Sequence, residues 1–158
     1  MTEDLSPKTK APDDELLEED EDMDQQDKTQ ERVSAALQVA FTVAQACADK
    51  KAENLKVLNV TEASGFTDFF VICSAMNERQ VQAIADAVVD RLKADDHRPL
   101  SMEGQQEGRW VLIDYGEIVV HIFLDALREY YQLETLWADA IKIPIPEDVF
   151  APAASRLN

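Results

Sequence analysis

Residues 101–124 constrain this chain more than any other stretch, because they read as two strands joined by one tight turn. Val111, Leu112 and Ile113 form one apolar run, and Ile118, Val119, Val120, Ile122 and Phe123 form the other. Asp114-Tyr115-Gly116-Glu117 lies between them and supplies turn chemistry, with Gly116 free to take positive φ. A large aromatic at a hairpin tip can bury little of its ring in a core beneath it. Tyr115 is therefore read as a contact residue. Trp110, at the entrance to the first strand, is read two ways, as a cap on the core or as a second contact.

The periodicity on either side of the hairpin gives the element order. Val33, Leu37, Phe41, Ala44 and Cys47 recur at helical spacing and predict a helix over residues 30–51. Residues 55–60 predict a short strand and residues 61–67 a loop. Phe69-Phe70-Val71-Ile72-Cys73 is continuously apolar, as expected of a central strand covered on both faces. Asn77 is placed to cap the next helix, with Gln80 completing a capping-box-like pair and Val81, Ile84, Ala85, Val88 and Leu92 as its buried stripe. After the hairpin, Asp125 is expected to cap a short helix, and Leu133, Leu136, Trp137 and Ile141 suggest a final helical turn or two. Helix, strand, strand, helix, strand, strand, helix builds a small mixed β-sheet flanked by helices, in the α/β (α+β) class.

Residues 1–30 carry twelve acids and three bases, with Pro7, Pro12 and few large apolar side chains, which predicts a disordered acidic tail. Residues 31–142 are expected to form the folded domain. Residues 143–158 are Pro-punctuated and predict an irregular C-terminal extension. The whole chain of 158 residues has a formal net charge of −17. That argues against direct nucleic-acid binding, which needs Lys and Arg against phosphate, and suits a basic protein partner. No run of 18 or more apolar residues suggests a membrane span, and no secretory signal is evident, so the expected location is cytoplasmic. Cys47 and Cys73 sit in apolar segments without CxxC spacing and read as buried hydrophobes.

Signs of catalysis are sparse. His121 alternates with Val120 and Ile122 on a strand and reads as a satisfied structural histidine; His97 reads as an exposed loop residue. No HExxH, Walker loop or GxGxxG is present, and neither a cofactor nor a resident metal is expected. The one enzymatic alternative places Asp68, Ser74 and Asp114 around Mg²⁺ in a nucleotide-dependent transferase.

An ordered set of segments resembles the ribosomal silencing factor family, also called the Iojap or RsfS family. These are Thr67 to Cys73, Arg79-Gln80-Val81 with Ile84-Ala85-Asp86, Glu103-Gly104, Trp110 to Gly116, Val119 to Phe123, and Arg128 to Ala140. The resemblance implies a binding protein rather than an enzyme, with a nucleotidyltransferase-like fold that lacks the active site. It implies attachment to the large ribosomal subunit through its fourteenth-series protein, occlusion of small-subunit joining, and repression of translation in starvation. A homodimer in the free state is also implied. Carried over by position, the contact surface falls on Trp110 and Tyr115, with Asp114, Gly116, Glu103 and Gly104 close by. The chain departs from the family pattern at Ser74-Ala75-Met76-Asn77-Glu78 and at Gln80.

Overall fold

The computed structural model describes residues 12–132, 135 and 138–151. The segments expected to form the last helical turns, around Leu133, Leu136 and Trp137, lie outside the described residues. The chain divides into two compact units, Met1–Ser34 and Ala35–Asn158.

Helix α1 spans Pro12–Asp49, so helix begins well before residue 30. In the first unit, part of the segment that composition predicts as a disordered tail is helical. The reason is local. Pro12 occupies a first helical position, acids fill the first turns where the helix dipole favours them, and Glu, Gln and Leu are good helix formers.

In the second unit, the rest of α1 buries Ala36, Ala40, Val43, Ala44 and Cys47. The predicted stripe is offset. Small residues form its centre, which lets the backbone approach its neighbours closely, and Leu37 and Phe41 sit half-buried on the shoulders. Strand β1 (Glu53–Asn59) carries a bulge between Glu53 and Lys56, and Asn54 there takes a positive φ of 49°. The expected loop contains one helical turn, α2 (Thr61–Ser64), closed by Gly65 at φ 72°.

Strand β2 (Phe69–Ala75) is buried at every residue, as its unbroken apolar run requires. Helix α3 (Glu78–Ala94) starts where predicted, with the Asn77 side chain accepting from Gln80 N at 2.8 Å. All five stripe residues are buried. The Gln80 side chain does more than close a box. Its Oε1 accepts from Met76 N, and its Nε2 donates to the carbonyls of Lys50 and Lys51, tying the end of α1 to the start of α3.

Strands β3 (Ser101–Glu103), β4 (Trp110–Asp114) and β5 (Ile118–Leu124) follow. Helix α4 (Asp125–Tyr131) places Asp125 as its first residue and not as its cap; Leu124 holds the cap position without a side-chain bond. Strand β6 (Ile141–Ile143) and a 3₁₀ turn (Glu147–Phe150) complete the described chain. Ile141, expected on a final helical turn, lies instead in this edge strand, which ends at the first residue of the segment expected to be an irregular extension; that segment buries Val149.

The six strands form one mixed sheet in the order β3-β4-β5-β2-β1-β6. Only β2 and β5 pair in parallel, at its centre, with Ile72 opposite His121; every other neighbouring pair is antiparallel. Side chains alternate across it. Val111, Ile113, Val120 and Ile122 are fully buried on the side that α3 covers. Leu58, Val60, Phe70, Ile72, Val119 and Phe123 form the core of the other side, with Trp110 and Leu112 packed against them. No helix among the described residues is long and apolar enough to cross a membrane.

Candidate partner-binding site

The candidate residues lie on the β3–β4–β5 end of the sheet. Trp110 opens β4 opposite Phe123, and its ring stacks on Phe123 with centroids 4.8 Å apart. Its indole Nε1–H donates to His121 Nδ1 at 3.3 Å. The ring is half-buried, so the cap and contact readings of Trp110 both retain a physical basis.

The loop ahead of Trp110 is held from two directions. Gly104 takes φ 83°, and a Cβ there would overlap the Trp110 carbonyl oxygen. Gly108 N donates to Gly104 O, and Gly108 itself lies against the Glu78 carbonyl at the start of α3. Gln82 Nε2 donates to the carbonyls of Gln105 and Gln106, and Arg109 reaches Glu78 at 3.6 Å. That last pair is exposed and holds the loop weakly; the Gln82 bonds and the tight glycine contacts define it.

His121 is 5% exposed, with Phe70 edge-on at 4.7 Å and Phe123 stacked at 6.1 Å. Burial pushes its imidazole pKa down to about 4, so it is neutral near pH 7. Because Nδ1 accepts from the indole, the ring proton sits on Nε2. That Nε2–H is buried and has no hydrogen-bond partner among the described residues. Among the described residues, the satisfied structural histidine expected at this position is satisfied on one nitrogen only.

The other end of β4 carries Asp114, Tyr115 and Gly116. Asp114 Oδ1 accepts from Gly116 N at 2.7 Å, and Tyr115 N donates to Ile118 O, closing the predicted turn. Tyr115 does not stand free at the tip. Its ring stacks on His97 with centroids 6.2 Å apart, and its hydroxyl is buried without a hydrogen-bond partner among the described residues. Burial pushes that hydroxyl pKa up to about 12. His97, on the chain leaving α3, supplies the cover that the local sequence around the turn does not show. Leu100 is the exposed apolar residue here, at 74%, and its Cδ1 lies 3.3 Å from where a Gly116 Cβ would stand.

The six predicted residues thus form two groups at opposite ends of a short strand. Glu103 and Gly104 lie towards Trp110, and Asp114 and Gly116 lie with Tyr115. Sequence reasoning missed His121 as the indole acceptor, Gln82 as the loop anchor, and Leu100. Alternation on β5 puts His121 and Phe123 on one face, but only the β4–β5 register reveals that this is Trp110's face. The alternative Mg²⁺ trio is not assembled. Asp68 and Ser74 stand at opposite ends of β2, Asp68 Oδ1 accepts from Thr61 Oγ1, and Ser74 Oγ accepts from Arg128. No cluster of three or more His, Cys, Asp or Glu suited to a metal occurs among the described residues.

Residues 30–157 match the family model described as "Ribosomal silencing factor during starvation". The chain belongs to the ribosomal silencing factor family. A ribosomal silencing factor of Bacillus subtilis is 44% identical over 97 residues, covering 61% of this chain and 82% of that protein. A mouse relative, "Mitochondrial assembly of ribosomal large subunit protein 1", is 32% identical over 91 residues, covering 56% of this chain and 40% of its own length. A crystal structure of a Chromobacterium violaceum protein superposes with TM-score 0.63 at 30% identity, covering 68% of this chain and 88% of that one. The ribosomal silencing factor match extends past residue 142 and takes in β6 and the 3₁₀ turn, in agreement with their place in the fold.

Proposed function

We propose that this ribosomal silencing factor binds the large ribosomal subunit through its fourteenth-series protein and blocks joining of the small subunit, repressing translation without catalysing a reaction. The family match across residues 30–157 carries the reading. The geometry supports it at Trp110, a half-buried aromatic on a rigid strand of the kind that anchors protein interfaces. Glu103, Asp114 and the exposed Leu100 border the same end of the sheet, and the chain's net charge of −17 suits a basic protein surface. A homodimer in the free state and a cytoplasmic location belong to the same proposal. The contact surface is placed within residues 31–142, on Trp110, Tyr115, Asp114, Gly116, Glu103 and Gly104.

Co-sedimentation with isolated large and small ribosomal subunits over a salt series tests it. Binding to the large subunit alone is expected, weakened by salt, with Trp110→Ala costing about 2 kcal/mol or more. A folded protein that sediments with neither subunit overturns the reading.

A further inference from the structure

We propose that the loop between β3 and β4 is a recognition element for a basic protein surface, with Gln105, Gln106 and Glu107 as contacts and Gln82 of α3 as the positioning residue that holds them in place. This deepens the reading of the chain as a ribosome-binding protein and rests on it.

Residues 103–107 are exposed without a break, and an exposed loop is ordinarily mobile. This one is held at three points. Gly104 lies so close to the Trp110 carbonyl that a Cβ has no room. Gly108 is buried against the start of α3 and donates to Gly104 O at 3.0 Å. Between the two glycines, Gln82 Nε2 bridges the carbonyls of Gln105 and Gln106 at 3.2 and 3.1 Å. Every one of these contacts grips backbone. The exposed side chains of Gln105, Gln106 and Glu107 are left out of the clamp.

The chemistry of the loop follows from its residues. Glu103 and Glu107 bring carboxylates, and Gln105 and Gln106 bring amides. The base that follows, Arg109, faces Glu78 at 3.6 Å. Acceptors of this kind suit Lys and Arg side chains of a protein, whereas the phosphates of a nucleic acid would be repelled. A loop already ordered loses little freedom when it is bound, so a clamp on its backbone strengthens binding without touching the partner. For stability the same bonds matter little, because they lie at the surface and water can replace them.

Variants of the full chain test the two roles. Gln82→Met removes the donor and keeps the stem that lies beside Gly108. Gln82→Glu, which also serves if the Met variant does not fold, keeps the shape but sets an acceptor against the two carbonyls. It adds an acid that by charge alone would tighten binding to a basic surface. A third variant carries Gln105→Ala, Gln106→Ala and Glu107→Ala together. Amide exchange at Gly108 should quicken in both Gln82 variants, with melting close to wild type. In co-sedimentation with large subunits at fixed salt, each Gln82 variant is expected to bind about fivefold more weakly, and the triple variant about tenfold. Gln82→Met added to the triple variant should cost almost nothing further, since the clamp then has no contacts to position. Additive costs, unchanged exchange at Gly108, or Gln82 variants that bind as tightly as wild type overturn the positioning role. A triple variant that binds as tightly as wild type overturns the loop surface. Wild type that sediments with neither subunit removes the ribosomal reading, and this proposal with it.

Discussion

Trp110 and Tyr115 bracket one short strand yet lean on different neighbours: Trp110 stacks on Phe123 of the adjoining strand, and Tyr115 on His97, beyond the end of α3. An odd sequence separation along a strand turns side chains to opposite faces, and β4 obeys that rule, with Val111 and Ile113 fully buried between half-buried Trp110 and Leu112. A partner touching both aromatics has to wrap the outer edge of the sheet along β3. The two residues therefore differ in what their replacement does.

Tyr115→Phe is expected to be neutral or stabilising by about 1 kcal/mol, because it removes a buried hydroxyl that has no hydrogen-bond partner among the described residues. A thermal melt checks this. A fall of several degrees would mean that the hydroxyl has a partner in solution.

Gly104→Ala is expected to destabilise the protein by roughly 2 kcal/mol or more, since an added Cβ meets the backbone of Trp110 at a positive φ. Gly65→Ala meets nothing within 4 Å and carries only the strain of its own φ. Urea denaturation of both variants should rank Gly104 well above Gly65. Equal losses would show that the loop before Trp110 moves aside freely.

Acid should weaken the fold through His121. The unfolded side chain takes up a proton near pH 6.5, whereas the folded one resists until about pH 4. The stability due to keeping it neutral is fully present above pH 6.5 and is lost as pH falls from there to about 4. The complete loss is about 3 kcal/mol. Carboxylates titrate in part of the same window, so the informative quantity is the difference between wild type and His121→Phe. Denaturant titrations at pH 7 and pH 4 should show that difference widening in favour of the Phe variant. A constant difference would place the imidazole in water.

Cys47 and Cys73 are both free and fully buried, and the Cys73 thiol beside Cys47, together with burial, pushes the Cys47 pKa well up. Neither thiol should react with an alkylating reagent in the native protein over minutes at pH 7.5, and both should react in denaturant. Rapid native labelling of either would reveal an opening between α1 and β2.

The sequence made the centre of this fold legible and its margins less so. The unbroken apolar run of β2 announced a strand covered on both faces, and the Asn77 cap and five-residue stripe located α3. Those signals are local, and local geometry decided them. Strand β6 carries only three residues, Ile141–Ile143, and exists because β1 offers it an edge; nothing within those residues announces a partner so distant in the chain. The start of α1 escapes the sequence for the opposite reason, since acids, Glu and Gln read as charge and disorder although they are also good helix formers. At the candidate site, Trp110 and the turn residues were readable, but the cover that His97 gives Tyr115 and the bond from Trp110 to His121 depend on chain segments brought together only by the completed sheet.

The pairing of β1 with β6 has a consequence for the order of assembly. Val57 meets Ile143, so a strand made early must wait for one made late. While the chain grows, β1 can pair with β2 on one side and presents an open ladder on the other. That edge is sealed only after residue 143 has left the exit tunnel. Long-range closure of this kind slows folding and leaves a sticky intermediate. Short as it is, the last strand decides when the newly made protein becomes safe from its neighbours.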